Sequence, residues 1–199
     1  LGGLVGSEMC IRDRGGAISK ASALEKELGN AKVLQQFTNL NNPDIQRKTT
    51  APEILKDTNG DLDIFIAAVG TGGTLTGTGE ILKSNIPSLQ AIAVEPSDSP
   101  VLEGGKAGPH KIQGIGAGFV PDILNTEIYD EVLAVSNEEA FAMAQKIAKA
   151  EGLLIGISAG ANLHAAYTIA SRPENKGKTI VTILCDTAER YLSTELFEA

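Results

Sequence analysis

The sequence is short of cysteine, of histidine and of positive charge, and each shortage removes a class of function. Its 199 residues include two cysteines, Cys10 and Cys185, far apart in the chain. They supply no disulfide framework of the kind small secreted domains depend on, which points to a cytosolic protein. The two histidines are His110 and His164. With the cysteines they form no metal-ligand spacing, so no metal is expected. Lysine and arginine number 17 against 25 aspartates and glutamates, for a formal net charge of −8. No basic cluster offsets that balance, so nucleic acid and anionic membrane are excluded as partners. No run approaches the ~20 apolar residues of a membrane-spanning helix. What remains, 42% hydrophobic and 21% charged, is ordinary globular composition, enough for one substantial domain or two small ones.

The first fourteen residues, LGGLVGSEMCIRDR, stand apart. They lack the charge that precedes the apolar core of a signal peptide, and they match neither strand nor helix period. Residues 1–14 read as a poorly ordered tail, and residues 15–199 as the folded domain.

From Gly15 the chain alternates between two periods. AISKASALEKEL reads as a helix closed by Gly29 and Asn30, and KVLQQF as a short strand. NPDIQRKTTAPEILKDT predicts a helical segment interrupted or kinked at Pro52. DIFIAAV is a near-continuous apolar run, as expected of a strand buried on both faces of a parallel sheet. A glycine-rich loop, a helix to about Lys83 and the strand QAIAVE follow. The stretch from Pro96 to Pro121 predicts a long loop, a length usually tied to function or disorder. EVLAVS reads as a strand, and Ser136 with Glu139 as a capping box opening the next helix. Phe141, Ala144, Ile147 and Ala148 share one face of that helix. LLIGIS reads as a buried strand, AGANLHAAYTIASR as a small-residue helix and TIVTILC as the last strand. The alternation predicts an α/β fold, an open, mostly parallel twisted sheet with helices on both faces.

The stretch AAVGTGGTLTGTGE follows the central strand directly. A strand, a glycine turn and a helix N-terminus form an anion site, because free backbone N–H groups and the helix dipole both favour negative charge. Gly70, Gly72 and Gly73 permit close approach to the backbone, and Thr71 and Thr74 add hydroxyl donors. The dinucleotide pattern fails at Leu75, and the P-loop pattern fails at Thr78, where a lysine belongs. A phosphate monoester is the remaining candidate; a tight turn without a ligand is the alternative. LLIGISAGA repeats the strand, small-residue turn and helix. Ser158 reads there either as a helix N-cap or as a hydroxyl facing a ligand at the carboxyl ends of the strands. One phosphate cradle, one hydroxyl and a glycine-rich cover suit a phosphorylated cofactor with an aromatic ring.

The stretches VGTGGTLTG, VEPSDSPVLEGGKAGPHKIQGIGAGF, EGLLIGISAGA and ERYLSTELF resemble cysteine synthase (O-acetylserine sulfhydrylase), a fold-type II pyridoxal-phosphate enzyme. The resemblance runs from about Gly16 to the end of the chain, with cystathionine β-synthase as the nearest rival. It implies that Gly70, Thr71, Gly72, Gly73 and Thr74 hold the phosphate of pyridoxal 5′-phosphate and that Ser158 faces the pyridine nitrogen. It assigns Gly114, Ile115 and Gly116 to the loop on the substrate side of the ring. The implied reaction is β-replacement, in which sulfide displaces the acetate of O-acetylserine to give cysteine. A cytoplasmic homodimer that binds the C-terminal tail of serine acetyltransferase is implied as well.

The resemblance also implies an N-terminal domain of roughly a hundred residues bearing the Schiff-base lysine, which this sequence does not contain. No catalytic residue is therefore assigned, and the 199-residue chain is expected to be inactive alone. The opening fourteen residues resemble translated adapter or assembly sequence. Lys111 reads as structural or solvated, and His110 as a residue that fixes loop geometry. His164 lies within a helix and is not read as catalytic. Cys185 reads as a small buried hydrophobe, and Glu189 with Arg190 as a structural pair. Many relatives have Pro-Ser-Ser-Gly where this chain has Cys185, Asp186, Thr187 and Ala188.

Overall fold

The computed structural model describes residues 11–197. Helix α1 spans Ile11–Leu28, α2 Asn41–Lys48 and α3 Thr50–Asp57, ahead of strand β1, Ile64–Ala68. Next come α4 (Gly73–Asn85), β2 (Gln90–Pro96), β3 (Glu131–Val135), α5 (Asn137–Glu151), α6 (Ile157–Ala170) and β4 (Ile180–Thr182). The strands form one sheet in the order β3-β2-β1-β4, and every neighbouring pair is parallel.

The continuous apolar run of β1 has a simple cause: both faces of the strand are covered. Ile64 and Ile66 join Ile92, Val94, Ile157, Ala165 and Ile169 in a core that includes α5 and α6. Phe65 and Ala67 point the other way, into a core with Leu75 and Leu82 of α4. Side chains alternate across a strand, so an alternating pattern would leave one of these cores empty. The helix α4 connects β1 to β2 on one face, and α5 and α6 connect β3 to β4 on the other. The chain thus reverses its winding at β1 and β4, whose carboxyl ends border the crevice where open α/β sheets take ligands.

The capping box forms as expected: Ser136 Oγ accepts from the Glu139 N–H, and the Glu139 carboxylate accepts from the Ser136 N–H at 2.8 Å. Four expectations need correction. KVLQQF is not a strand: Leu34 is 76% exposed, Gln35 has φ 56°, and the Val33 N–H donates to the Glu25 carboxylate. LLIGIS is not a strand either. The helix α6 starts at Ile157, leaving only Ile155 to make a single antiparallel bridge with Thr187, while Leu153 and Leu154 face outward. The final strand is shorter than TIVTILC, ending at Thr182. The break expected at Pro52 falls at Thr49 (φ −121°, ψ −73°), between α2 and α3. A proline ring clashes with the carbonyl four residues earlier, here Lys48, so the upstream helix stops there and Pro52 sits in the first turn of the next. The stretch expected to be a poorly ordered tail enters α1 at Ile11; its first ten residues lie outside the described residues.

Candidate active site

The two glycine turns and the long loop meet around one cavity of about 350 Å³ at the carboxyl end of the sheet. Gly70, Thr71, Gly72 and Thr74 form one wall, Gln113, Gly114 and Ile115 a second, and Ser158 with Cys185, Asp186 and Tyr191 a third. Five positions named from sequence for a cofactor, Gly70, Thr71, Gly72, Thr74 and Ser158, therefore share a single lining. Gly73 and Gly116 do not line it.

Local sequence sets this geometry. Gly72 caps α4 in the left-handed region at φ 85°, which an L side chain adopts only with strain. Gly70 touches the long loop: a Cβ there would stand 2.3 Å from the Gly114 carbonyl oxygen. The N–H groups of Thr74 and Leu75, in the first turn of α4, have no acceptor among the described residues, and such a helix start beside the cavity wall at Thr74 favours an anion. The Gly73 N–H is engaged instead with Thr71 Oγ1 at 3.3 Å. Gly116 holds the loop rather than the cavity, with its N–H donating to the Val69 carbonyl at 3.0 Å and its own carbonyl 3.1 Å from His110 Nε2. His110 thus makes the loop contact expected of it. At the loop's root Glu95 is buried and accepts from the N–H groups of Leu102 and Glu103 at 2.7 and 3.1 Å. Burial pushes its carboxyl above the usual glutamate range.

Ser158 is not the N-cap of α6. Gly156 takes that position (φ −78°, ψ 176°), and Ser158 lies two residues into the helix, buried, sharing the cavity wall with Cys185. A Cβ on Gly156 would meet Asp186 Oδ1 at 1.9 Å, so the helix start is held directly against Asp186. The other Asp186 oxygen accepts from the Tyr191 hydroxyl at 2.6 Å. Burial and then that hydrogen bond push the Tyr191 phenol well above its usual range. Cys185 is exposed at the cavity wall, correcting the expectation of a buried hydrophobe. Desolvation of the sulfur by the surrounding protein disfavours the thiolate and raises its pKa.

Among the cavity-lining residues there is no lysine, arginine or histidine. Lys111 lies at the surface in an ion pair with Glu195 at 2.7 Å, in keeping with a structural or solvated role. His164 Nε2 lies 3.5 Å from Glu139 on α5. The expected Glu189–Arg190 pair is replaced by a bond from the Thr187 hydroxyl to Glu189 at 2.7 Å. Among the described residues no group of three or more His, Cys, Asp or Glu can hold a metal ion, and no helix is long and apolar enough to cross a membrane.

Two contributors were not legible in the sequence. Gln36 reaches the cavity wall from the segment before α2, and Asn42, on α2, donates from Nδ2 to Thr71 Oγ1 at 2.9 Å. The run QQFTNLNNP is rich in amides ahead of a proline, but nothing local ties it to a turn 29 residues downstream.

The chain matches the family model described as pyridoxal-phosphate dependent enzyme over residues 5–186. It is 51% identical over 183 residues to a cysteine synthase of Staphylococcus aureus (strain Mu50), covering 92% of this chain and 58% of that one. A cysteine synthase of Entamoeba histolytica superposes with a TM-score of 0.90 at 45% identity, covering 93% of this chain and 55% of that one. An O-acetylserine dependent cystathionine β-synthase of Helicobacter pylori gives 0.87 at 40%, covering 92% and 59%. The chain therefore spans little more than half the length of these relatives. A family model that takes in nearly the whole chain, together with a matching parallel sheet, establishes that it belongs to the pyridoxal-phosphate dependent enzymes, with cysteine synthases among its relatives.

Proposed function

We propose that residues 15–199 are the cofactor-phosphate domain of a β-replacement enzyme that makes L-cysteine from O-acetyl-L-serine and sulfide. The observation that carries this reading is the single cavity walled by the Thr71–Thr74 turn and by Ser158, in a chain 51% identical to a cysteine synthase. The donor set fits the cofactor. The Thr71 and Thr74 hydroxyls and the free N–H groups of the α4 first turn suit a phosphate at one end, and buried Ser158 suits a ring nitrogen at the other.

When bound, pyridoxal phosphate supplies an electron sink for charge developing on the amino-acid α-carbon. Gly70, Thr71, Gly72, Gly73 and Thr74 hold its phosphate, with Gly73 acting through the Thr71 hydroxyl. Ser158 offers the ring nitrogen a neutral hydroxyl. A carboxylate there would keep the nitrogen protonated, so a hydroxyl moderates the sink and favours prompt loss of a β-leaving group. Gly114 and Ile115 form the substrate-side wall, and Gly116 pins that loop to Val69. No lysine of the described residues lines the cavity, and the base for the α-proton is read as the lysine of the N-terminal domain that the resemblance implies. The intact enzyme is read as a cytoplasmic homodimer able to receive the C-terminal tail of serine acetyltransferase.

Isothermal titration of the chain with pyridoxal phosphate and with pyridoxal tests the reading. Binding that requires the phosphate, with no imine absorption band, is expected; equal binding of both ligands, or an imine band, overturns it. Joining the chain to the uncovered part of the Staphylococcus aureus cysteine synthase is expected to give sulfide-dependent cysteine formation. Product with homocysteine alone favours a cystathionine β-synthase instead, a reading to which the Helicobacter pylori relative lends support. Ligand binding without turnover in the joined protein favours a non-catalytic binding module.

A further inference from the structure

Asn42, on α2, reaches the glycine turn that opens α4. Its Nδ2 group donates to the Gln36 carbonyl at 2.9 Å and to Thr71 Oγ1 at 2.9 Å. A carbonyl only accepts, so Gln36 fixes which end of the Asn42 amide carries the hydrogens, and the same NH₂ then faces Thr71. The Gly73 N–H approaches the same hydroxyl oxygen at 3.3 Å. A hydroxyl has two lone pairs and one proton. With both lone pairs engaged, Thr71 has only its proton left, and among the described residues it donates to no acceptor while bordering the cavity. The close fit is built in: a Cβ on Gly73 would stand 2.0 Å from Asn42 Oδ1. The lining holds no basic side chain, so a phosphate dianion depends on neutral donors, and the direction of each one matters.

We propose that Asn42 is a positioning residue that makes Thr71 an obligate donor to a phosphate monoester, and so sets the cavity's affinity for that dianion. The proposal rests on the reading that this cavity holds the cofactor phosphate. Pyridoxal phosphate and pyridoxal are titrated into the 199-residue chain and into Asn42→Ala, Asn42→Asp, Thr71→Val and the Asn42→Ala/Thr71→Val double variant. Asn42→Ala is expected to weaken pyridoxal phosphate binding about tenfold, the loss of one well-directed hydrogen bond to a charged group, and to leave pyridoxal binding unchanged. Asn42→Asp, nearly isosteric, draws the Thr71 proton to itself. It is expected to weaken binding further and to raise the phosphate pKa read by ³¹P NMR; it carries the test if Asn42→Ala does not fold. In the Thr71→Val background, Asn42→Ala is expected to have no further effect. Wild-type affinity in the Asn42 variants overturns the proposal, as does the same loss with and without the Thr71 hydroxyl, which marks a packing role only. Wild-type chain that does not prefer pyridoxal phosphate to pyridoxal overturns the phosphate reading itself, and this proposal with it.

Discussion

Gly77 and Gly79 lie on the same helix, and the structure separates their roles sharply. Both are buried in α4, and alanine gains about 1 kcal/mol over glycine in a helix interior from propensity alone. At Gly79 an added Cβ would meet only Ile128 Cγ1, at 3.1 Å, a side-chain atom able to shift by a few tenths of an ångström. At Gly77 it would stand 2.0 Å from the Pro43 carbonyl oxygen and 2.9 Å from Gln46 Cβ, so α2 must move by about an ångström. Overpacking of this kind costs about 1–3 kcal/mol. Displacing α2 also breaks the Asn42–Thr71 hydrogen bond, worth about 1 kcal/mol. Set against the propensity gain, Gly77→Ala is expected to lose roughly 2 kcal/mol, and Gly79→Ala to stay within about 1 kcal/mol of wild type. Urea denaturation of the three proteins reads the difference as a lower midpoint at constant slope; thermal melts should separate the two variants by roughly 4–8 °C. Equal stability of the two variants, or a Gly77→Ala protein as stable as wild type, would refute the reasoning that α2 rests on a glycine face of α4.

Further outcomes follow from other parts of the fold. Ser136→Ala is expected to cost about 1 kcal/mol by urea denaturation, because it removes the acceptor for the Glu139 N–H at the start of α5. The Ser136 backbone N–H holds Glu139 below the usual glutamate value of 4.5. Its stabilisation is therefore fully present above that value and is lost as pH falls through the depressed one, so the gap between wild type and Glu139→Gln should close as the pH is lowered below 4.5. In a Cys10→Ser background, Cys185 should react with a thiol reagent slowly at neutral pH, at a rate still rising above about pH 9. Pyridoxal phosphate should slow that reaction; a rate that levels off below about pH 8 would contradict the raised pKa.

Local sequence was sufficient wherever a residue's role is settled by its immediate neighbours. The apolar run at β1 gave a strand covered on both faces, because alternate side chains enter opposite cores. Ser136 and Glu139 gave the α5 start, because both partners of a capping box lie within four residues. The spacing of glycine and threonine after β1 gave a strand, turn and helix start without a nucleotide pattern, and the four quoted stretches gave the family. KVLQQF and LLIGIS misled for one reason: β-propensity describes a surface, while a strand also needs a partner edge. Lys32–Phe37 has no such edge among the described residues, and the start of α6 at Ile157 leaves LLIGIS too short for more than one bridge.

Tertiary structure alone decided which residues line the cavity and how they are hydrogen-bonded to one another. The carboxyl ends of β1 and β4 bring the Gly70–Thr74 turn to Cys185 and Asp186, segments more than a hundred residues apart in the chain. Cys185 changed from a buried hydrophobe to a thiol at the cavity wall because the short β4 ends three residues before it. Asn42 acquired its part only because α2 lies against the glycine face of α4. Sequence spacing encodes what a helix start or a strand does to its own neighbours; a hydrogen bond across 29 residues is set only when two elements pack, which is why the glycine turn was readable and its bond to Asn42 was not.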